Sequence, residues 1–281
     1  MIYSREDLRP LPRYPTYPPY HVGDYIEDYF YKKFVEETPN VSKKYIGISW
    51  TTLYCQNEDP GIQDFLNSLD PDQEYFTVCQ HDDGPKHILP PKTLVFSLSR
   101  SKPNPYIKKY EVIPAVCSPV PELPNTEKDI FASFVGSVTH PIRNDVYNSC
   151  KDIPGYYFSG KGWHPVVSSY ELNHFLQITK RSKYVLCPRG YGNTSFRMYE
   201  TMQLGAIPVY ISDDFFTPWD DELNWNDFCV LIPSDKIYDI DKILKSISDE
   251  QYDKMINIIK EIYPKYFTLY ATYKNIIRKL K

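Results

Sequence analysis

Residues 182–212 read SKYVLCPRGYGNTSFRMYETMQLGAIPVYIS. SKYVLCP (182–188) is a short apolar run with Tyr and Val, the pattern of a buried strand. It opens through PRGYGNTS, a loop with two glycines, into FRMYETMQLG, which reads as a helix, and then into a second apolar run, AIPVYIS. Strand, glycine-bearing loop, helix and strand make up the unit of a doubly wound α/β fold, whose ligands gather at the carboxyl ends of the strands. The loop after Cys187 is therefore the first candidate site.

The same unit repeats upstream. DIFASFVGSV (129–138) reads as a strand ending in a turn at Gly136, followed by a helix from about Ile142. YYFSG (156–160) is a further strand, and ELNHFLQITKRS is a helix leading back to residue 182. From about Asp241 the tail reads as a pair of amphipathic helices. Earlier in the chain, DYIEDYFYKKFVEE has helical spacing, KYIGISW (44–50) reads as a buried strand, and residues 60–69 as a helix. YFTVCQ (75–80) is a strand that runs into His81, Asp82, Asp83, Gly84 and Pro85, and TLVFSLS (93–99) is the next. The proline-rich stretch from Val112 to Pro124 reads as a connector, giving an expected first domain at 1–125 and a second at 126–281, the last helix packing back on the first. Residues 1–24, rich in Pro and Tyr, suggest an extended arm.

Composition limits the function classes. The 281 residues carry a formal charge of −4, which argues against sequence-independent nucleic-acid binding. No apolar run reaches the roughly 18 to 20 residues of a membrane span. The start MIYSREDLRPLPRYP has neither the basic nor the apolar region of a signal peptide, so a cytoplasmic address is the expectation. Six cysteines (Cys55, Cys79, Cys117, Cys150, Cys187 and Cys229) form no CxxC pair and read as buried reduced thiols. The six histidines show no metal-ligand spacing, and Asp70, Pro71 and Asp72, a DxD pattern, read as an ordinary turn. The chain has 26 tyrosines, a side chain suited to stacking on sugars as well as to cores; core packing is the stronger expectation for Trp50, Trp163 and Tyr156–Tyr157.

The chemistry-bearing residues cluster at the strand ends. Asn193, Thr194 and Ser195 sit where the strand at 182–188 gives way to a helix, with Arg189 and Arg197 beside them. Unpaired amides at a helix start, with hydroxyls and guanidinium groups, can hold a diphosphate. An N-cap with surface arginines fits the same spacing. Glu200, about one and a half turns beyond Ser195, can accept hydrogen bonds from a ribose diol or be a surface carboxylate. Gly136 and Ser137, with Arg143 opening the next helix, repeat the arrangement.

CPRGYGNTSFRMYETMQLGAIPVYISDDFFTPWDDELNW resembles the carboxyl-terminal signature of the exostosin and plant glycosyltransferase family 47 proteins. FASFVGSVTHPIRNDVY resembles that family's strand, glycine and arginine segment. VCQHDDGP resembles its HDWGP loop, with Asp83 in place of tryptophan, and YPTYPPYHVGDYIEDYFYKKF its amino-terminal segment. The resemblance implies an α/β fold of the GT-B type, with two Rossmann-like halves facing across a cleft and a nucleotide sugar held by the second. It implies inversion, no obligatory metal or cofactor, a UDP-sugar donor with xylose as the guess, and an oligosaccharide acceptor on a glycoprotein or polysaccharide. It points to compact members such as those of large DNA viruses, hence to host cytoplasm. By motif position Arg143, Ser195 and Arg197 fall to the diphosphate, Glu200 to the ribose, and Arg189 or Tyr191 near the nucleobase or sugar, with Asp213, Asp214 and Trp219 lining the cleft.

An inverting transfer needs a base for the acceptor proton and positive charge for the departing diphosphate. Asp82, at the carboxyl end of a first-half strand, is the candidate base, with His81 and Asp83 as rivals; one of the carboxylates can instead cap the turn before Gly84 and Pro85. The other reading is a non-catalytic module that binds a glycan or nucleotide on the same fold.

Overall fold

The computed structural model describes residues 1–11, 24–102, 104–116 and 119–281. Half of the arm expected over 1–24, residues 12–23, together with Cys117, lies outside the described residues. The elements run β1 (Ile2–Tyr3), α1 (Ile26–Glu37), β2 (Lys44–Ile46), α2 (Trp50–Gln56), α3 (Ile62–Asn67), β3 (Tyr75–Cys79), β4 (Thr93–Ser97) and β5 (Lys109–Val112). They continue with β6 (Ile130–Ser137), α4 (Pro141–Cys150), β7 (Tyr156–Lys161), α5 (Ser169–Arg181), β8 (Ser182–Pro188), α6 (Phe196–Gln203), β9 (Ile207–Ser212) and β10 (Val230–Pro233). Three helices close the chain: α7 (Ile240–Lys245), α8 (Asp249–Tyr266) and α9 (Leu269–Lys279).

The strands form two five-stranded sheets, ordered β1-β2-β3-β4-β5 and β10-β9-β8-β6-β7, with every pairing parallel. Parallel sheets are covered on both faces, so their strands are apolar on both sides. In the first sheet Tyr45, Phe76, Val78 and Phe96 pack with α1, while Ile46, Tyr75, Cys79 and Val95 join Trp50, Leu53 and Phe65 of α2 and α3. The two sets alternate along each strand, as the period of two requires.

The last helix returns to the first sheet. Tyr273 of α9 lies 5.3 Å from the ring of Phe30, which also meets Tyr45 at 5.2 Å and Phe76 at 5.9 Å. Ser42 N and Oγ both donate to Leu280 O, at 3.1 and 2.8 Å. Each aromatic contact adds about 0.5 to 1.5 kcal/mol beyond its buried area, which ties the chain's end to its beginning.

The structure departs from the sequence reading in places. The strand expected over 44–50 stops at Ile46, and Trp50 instead opens α2. β1, β5 and β10 were not anticipated, and the tail holds three helices rather than two. Cys79, Cys150, Cys187 and Cys229 are buried thiols as expected, whereas Cys55 is exposed. No helix among the described residues is long and apolar enough to cross a membrane.

Candidate active site

In the second sheet the chain leaves β6 for β7 on one side and returns to β8 on the other. The connections diverge at the carboxyl ends of β6 and β8 and leave a crevice between them, the position where open α/β sheets bind ligands. Gly136 and Ser137 end β6, and the loop 189–195 follows β8, so both glycine-bearing segments meet at this point. The first sheet faces it with the loop after β3. Between them lies a cleft of about 820 Å³, lined by His81 and Asp82 from one half and by Gly136, Ser137, Arg143, Tyr191, Thr194, Ser195, Arg197 and Glu200 from the other.

Two arginines are fixed on the second-half wall by backbone carbonyls. Arg197 donates Nε and Nη2 to Val135 O at 3.2 and 3.0 Å, with its guanidinium 4.5 Å from the centroid of the Phe134 ring. Arg143 donates Nε to Arg189 O at 3.0 Å and Nη1 to Ser137 O. Gly136, between these carbonyls, leaves the room Arg197 occupies: a Cβ there would collide with Nη2. α6 begins with Ser195 in extended backbone (φ −149°, ψ 132°), and the serine hydroxyl makes no capping bond. Its first amides thus have no side-chain cap, and a helix start in that state favours an anion. Glu200, buried one turn further on, lines the same space.

On the first-half wall the three candidate bases separate by their partners. His81 Nδ1 accepts the Asp83 amide at 3.2 Å, which puts the ring's proton on Nε2. Burial, then the nearby Lys86, lowers its pKa to about 4, so the ring stays neutral and has no free lone pair to offer. Asp83 is buried; its Oδ1 accepts the Tyr191 hydroxyl at 2.9 Å across the cleft and its Oδ2 lies 3.4 Å from Lys86 Nζ. Asp82 alone lines the cleft with a carboxylate that has no side-chain hydrogen-bond partner among the described residues. Burial, then the neighbouring Asp83, raises its pKa to about 6 against the opposing pull of Arg189 and Arg143. It packs so closely on Gly192 that a Cβ there would run into its carboxyl.

Several anticipated residues work behind the wall rather than on it. Arg189 pairs with Asp213 at 2.6 Å and donates to Tyr191 O at 3.0 Å, bracing its own loop. Asn193 donates to Asp214 at 3.2 Å and accepts from Ser99 Oγ at 3.0 Å, joining the halves. Asp213 and Asp214 are thus partners of the loop after β8, and Trp219 is core at 2% exposure; none of the three lines the cleft. Tyr157 and Trp163, expected in the core, do line it, Trp163 at 57% exposure, and so do Lys161, Tyr170, Glu171 and His174. The signal for that wall was present in GKGWHPVVSSYE (160–171), another strand end, glycine and helix start. Trp50 is core, as expected. Asp70 Oδ1 accepts the Asp72 amide at 2.9 Å, so the DxD pattern is a turn. Among the described residues no cluster of His, Cys, Asp and Glu could hold a metal ion.

The exostosin GT47 domain model matches residues 66–247, which contain both walls of the cleft. Among curated relatives, a probable glycosyltransferase of Arabidopsis thaliana is 30% identical over 141 residues, 49% of this chain and 25% of the relative. A second from the same plant is 25% identical over 208 residues, 67% of this chain and 42% of the relative. A probable glucuronosyltransferase of Oryza sativa subsp. japonica is 28% identical over 138 residues, 45% of this chain and 31% of the relative. The matches thus span well under two thirds of these relatives' own length. Among solved structures, the GtfA/B complex aligns with a TM-score of 0.48 at 10% identity, covering 89% of this chain and 59% of that one.

Proposed function

Because the chain belongs to the exostosin GT47 family, we propose that it is an inverting glycosyltransferase that moves a sugar from a UDP-sugar onto a glycan acceptor. The observation that carries this reading is the opposition, across one cleft, of a carboxylate with no side-chain hydrogen-bond partner among the described residues and two carbonyl-anchored arginines. With the pKa of Asp82 near 6, the carboxylate is ionised at neutral pH yet basic enough to take a proton, the range in which general bases work best.

In the proposed reaction Asp82 accepts the proton of an acceptor hydroxyl as that oxygen attacks the anomeric carbon. The bond from that carbon to the diphosphate oxygen breaks on the opposite face, which inverts the configuration. The negative charge left on the diphosphate falls to Arg143, Arg197, Ser195 and the α6 amides, groups already in place before the reaction, which is what makes such stabilisation effective. That charge is met by side chains and amides, which supports a reaction without an obligatory metal. Glu200 is assigned to the ribose diol. Asp83 and Tyr191 hold the two halves together, and Arg189 and Asn193 keep the loop after β8 in shape. The proposed acceptor is an oligosaccharide of a glycoprotein or polysaccharide, and the proposed donor sugar, on family resemblance, is xylose.

The test is a thermal-shift and calorimetric screen of UDP, UDP-xylose and UDP-glucuronate, first with chelator and then with magnesium or manganese. Binding by the folded state alone raises the unfolding free energy by about 2.7 kcal/mol at a hundredfold excess over Kd. One UDP-sugar is expected to stabilise the protein with chelator present and to be consumed when acceptor glycans are added. Silence from every nucleotide sinks the proposal, and binding without turnover moves the chain to the non-catalytic reading.

A further inference from the structure

The proposed base belongs to the first half, yet much of what surrounds it belongs to the second. β3 and β4 pair in parallel up to Cys79 and Ser97, so the loops that follow them leave the sheet side by side. Those loops stay joined beyond the sheet, where the Ser101 amide donates to Asp82 O at 2.9 Å. Asp82 is thus tied through its backbone to residues 99–101, and that segment is where the loop after β8 docks.

The docking uses both neighbours of Gly192. On one side Tyr191 O accepts the Ser101 hydroxyl at 3.0 Å. On the other, Asn193 N donates to Ser99 Oγ at 3.0 Å while Asn193 Oδ1 accepts the Ser99 hydroxyl at 3.0 Å. Asn193 is held to its own half by Asp214, which accepts from Nδ2, and by the Tyr210 hydroxyl, which donates to its carbonyl. Ser99 and Asn193 are both buried, so neither has water to replace a lost partner. Between these anchors Gly192 lies against the Asp82 carboxyl, with no room for a Cβ. The next acid, Asp83, accepts the Tyr191 hydroxyl. The carboxyl of Asp82, its carbonyl and its neighbour in the chain are therefore all set by one three-residue segment of the other half.

We propose that Ser99, Ser101 and Asn193 form a clamp that sets the place of Asp82, which makes them positioning residues of the transfer. The inference rests on Asp82 being the base and adds that its place is fixed from the donor half. Neutral groups suit the task. A hydroxyl that donates and accepts at once joins two loops, as Ser99 does, without putting a further charge beside the base. The clamped segment continues into Thr194, Ser195 and the start of α6, the groups assigned to the diphosphate. The clamp thus keeps the base and the leaving-group site in one register, so that the acceptor oxygen and the departing oxygen stand on opposite sides of the anomeric carbon.

Transfer kinetics as a function of pH, with calorimetry of UDP binding, test it on the wild type, Ser99→Ala, Ser101→Ala and Ser101→Thr. Ser99→Ala, which strands two buried groups of Asn193, should lower kcat by about 10- to 100-fold, the range for a catalytic group displaced by about 1 Å, while UDP affinity stays within a few-fold. Ser101→Ala should act in the same direction by a smaller factor. Ser101→Thr, which keeps the hydroxyl at a half-buried position, should restore the rate. In both alanine variants the rise of kcat with pH, centred near 6 in the wild type, should move to lower pH, because a loosened clamp admits water to a carboxyl whose pKa burial raises from 3.8. The charges that act on Asp82, those of Asp83, Arg189 and Arg143, remain in every variant. A mere loss of folded protein would lower the rate at all pH values and leave the midpoint where it was. An unmoved midpoint in both alanine variants, or a fall in UDP affinity that matches the fall in rate, overturns the clamp and leaves Asp82 as the base. A wild type without that rise, or without transfer, overturns both readings.

Discussion

The two walls of the cleft are built by opposite means. In the second half, charge is held by backbone: Arg197 and Arg143 are anchored on the carbonyls of Val135, Ser137 and Arg189. Such anchoring fixes position without neutralising charge. In the first half the charges are acidic and are distinguished by company: Asp83 has Tyr191 and Lys86, while Asp82 has no side-chain partner among the described residues. The reversal of strand order at β6 and β8 explains part of the contrast. The first sheet runs in sequence order without a reversal, so it contributes a loop facing the crevice and not a crevice of its own. On the proposed reading, one wall receives an anion and the other keeps a single carboxylate reactive.

Asp82→Asn strikes the contrast hardest. Removing the proposed base should lower kcat by about 10²- to 10⁴-fold, with UDP affinity within a few-fold. In the wild type, kcat should rise with pH through about 6, because the base acts only when ionised. That limb should vanish in Asp82→Asn. A variant that keeps both the rate and the limb removes Asp82 from the reaction and leaves the first wall without a chemical role.

A pair of single-carbon additions divides the two walls more finely. A Cβ at Gly192 meets the Asp82 carboxyl, and one at Gly136 meets the Arg197 guanidinium. Gly192→Ala should therefore lower kcat by on the order of 10- to 100-fold while UDP binding holds, since small misplacements of a catalytic group carry costs of that size. Gly136→Ala should do the reverse and weaken UDP about tenfold, because charge-assisted contacts to phosphate depend on the fork's geometry. If both variants change the same parameter, the division of labour between the walls is lost.

The second half of the fold was legible in the sequence because its signals are local. Apolar runs at 130–137, 182–188 and 207–212, each bounded by glycine or proline, gave strands and their order of use. What stayed hidden depends on distant partners. Residues 44–50 look like one strand, yet the chain turns at Trp50 because the Glu27 carboxylate, 24 residues upstream, takes the Thr51 amide at 2.6 Å and helps start α2. β5, KYEV, lies at the sheet edge with its side chains partly exposed, so it shows no buried run. The residues proposed for the diphosphate stand where strand, glycine and helix start meet in the sequence, so their convergence on one crevice was readable there. The capture of Arg189 and Asn193 by Asp213 and Asp214 was not, because it depends on how the loop after β9 folds back. Residue type alone makes the core the stronger expectation for Tyr157 and Trp163, while position beside the crevice decides their exposure.

The smallest expected effect concerns the acid buried behind the first wall. Glu27 is fully buried and accepts Thr51 N at 2.6 Å, Thr51 Oγ1 at 3.2 Å and Gln80 N at 2.9 Å, so it supports two residues that line the cleft. Burial, then the adjacent Asp28, pushes its pKa up to about 8, against the pull of those donors. A folded value above the ordinary 4.5 means that the fold favours the uncharged acid. The stability this contributes is complete below about pH 4.5 and is lost as pH rises through 8. Asp82 acts in the same sense, but only up to about 6, and burial lowers Lys128 to about 8, where its contribution has the opposite sign, so denaturant unfolding between pH 6.5 and 7.5 reads the buried Glu27–Asp28 pair. Over that window stability should fall by at most about 1.4 kcal/mol per pH unit. Glu27→Gln, neutral throughout, should be less stable at low pH, where an amide replaces one acceptor oxygen, and should show a flatter slope above 6.5. Its transfer rate at neutral pH should drop by less than tenfold, since Glu27 reaches Asp82 only through the backbone at Gln80. An unchanged slope would show that the carboxylate is already ionised at low pH, and the three N–H and O–H donors would then have outweighed burial.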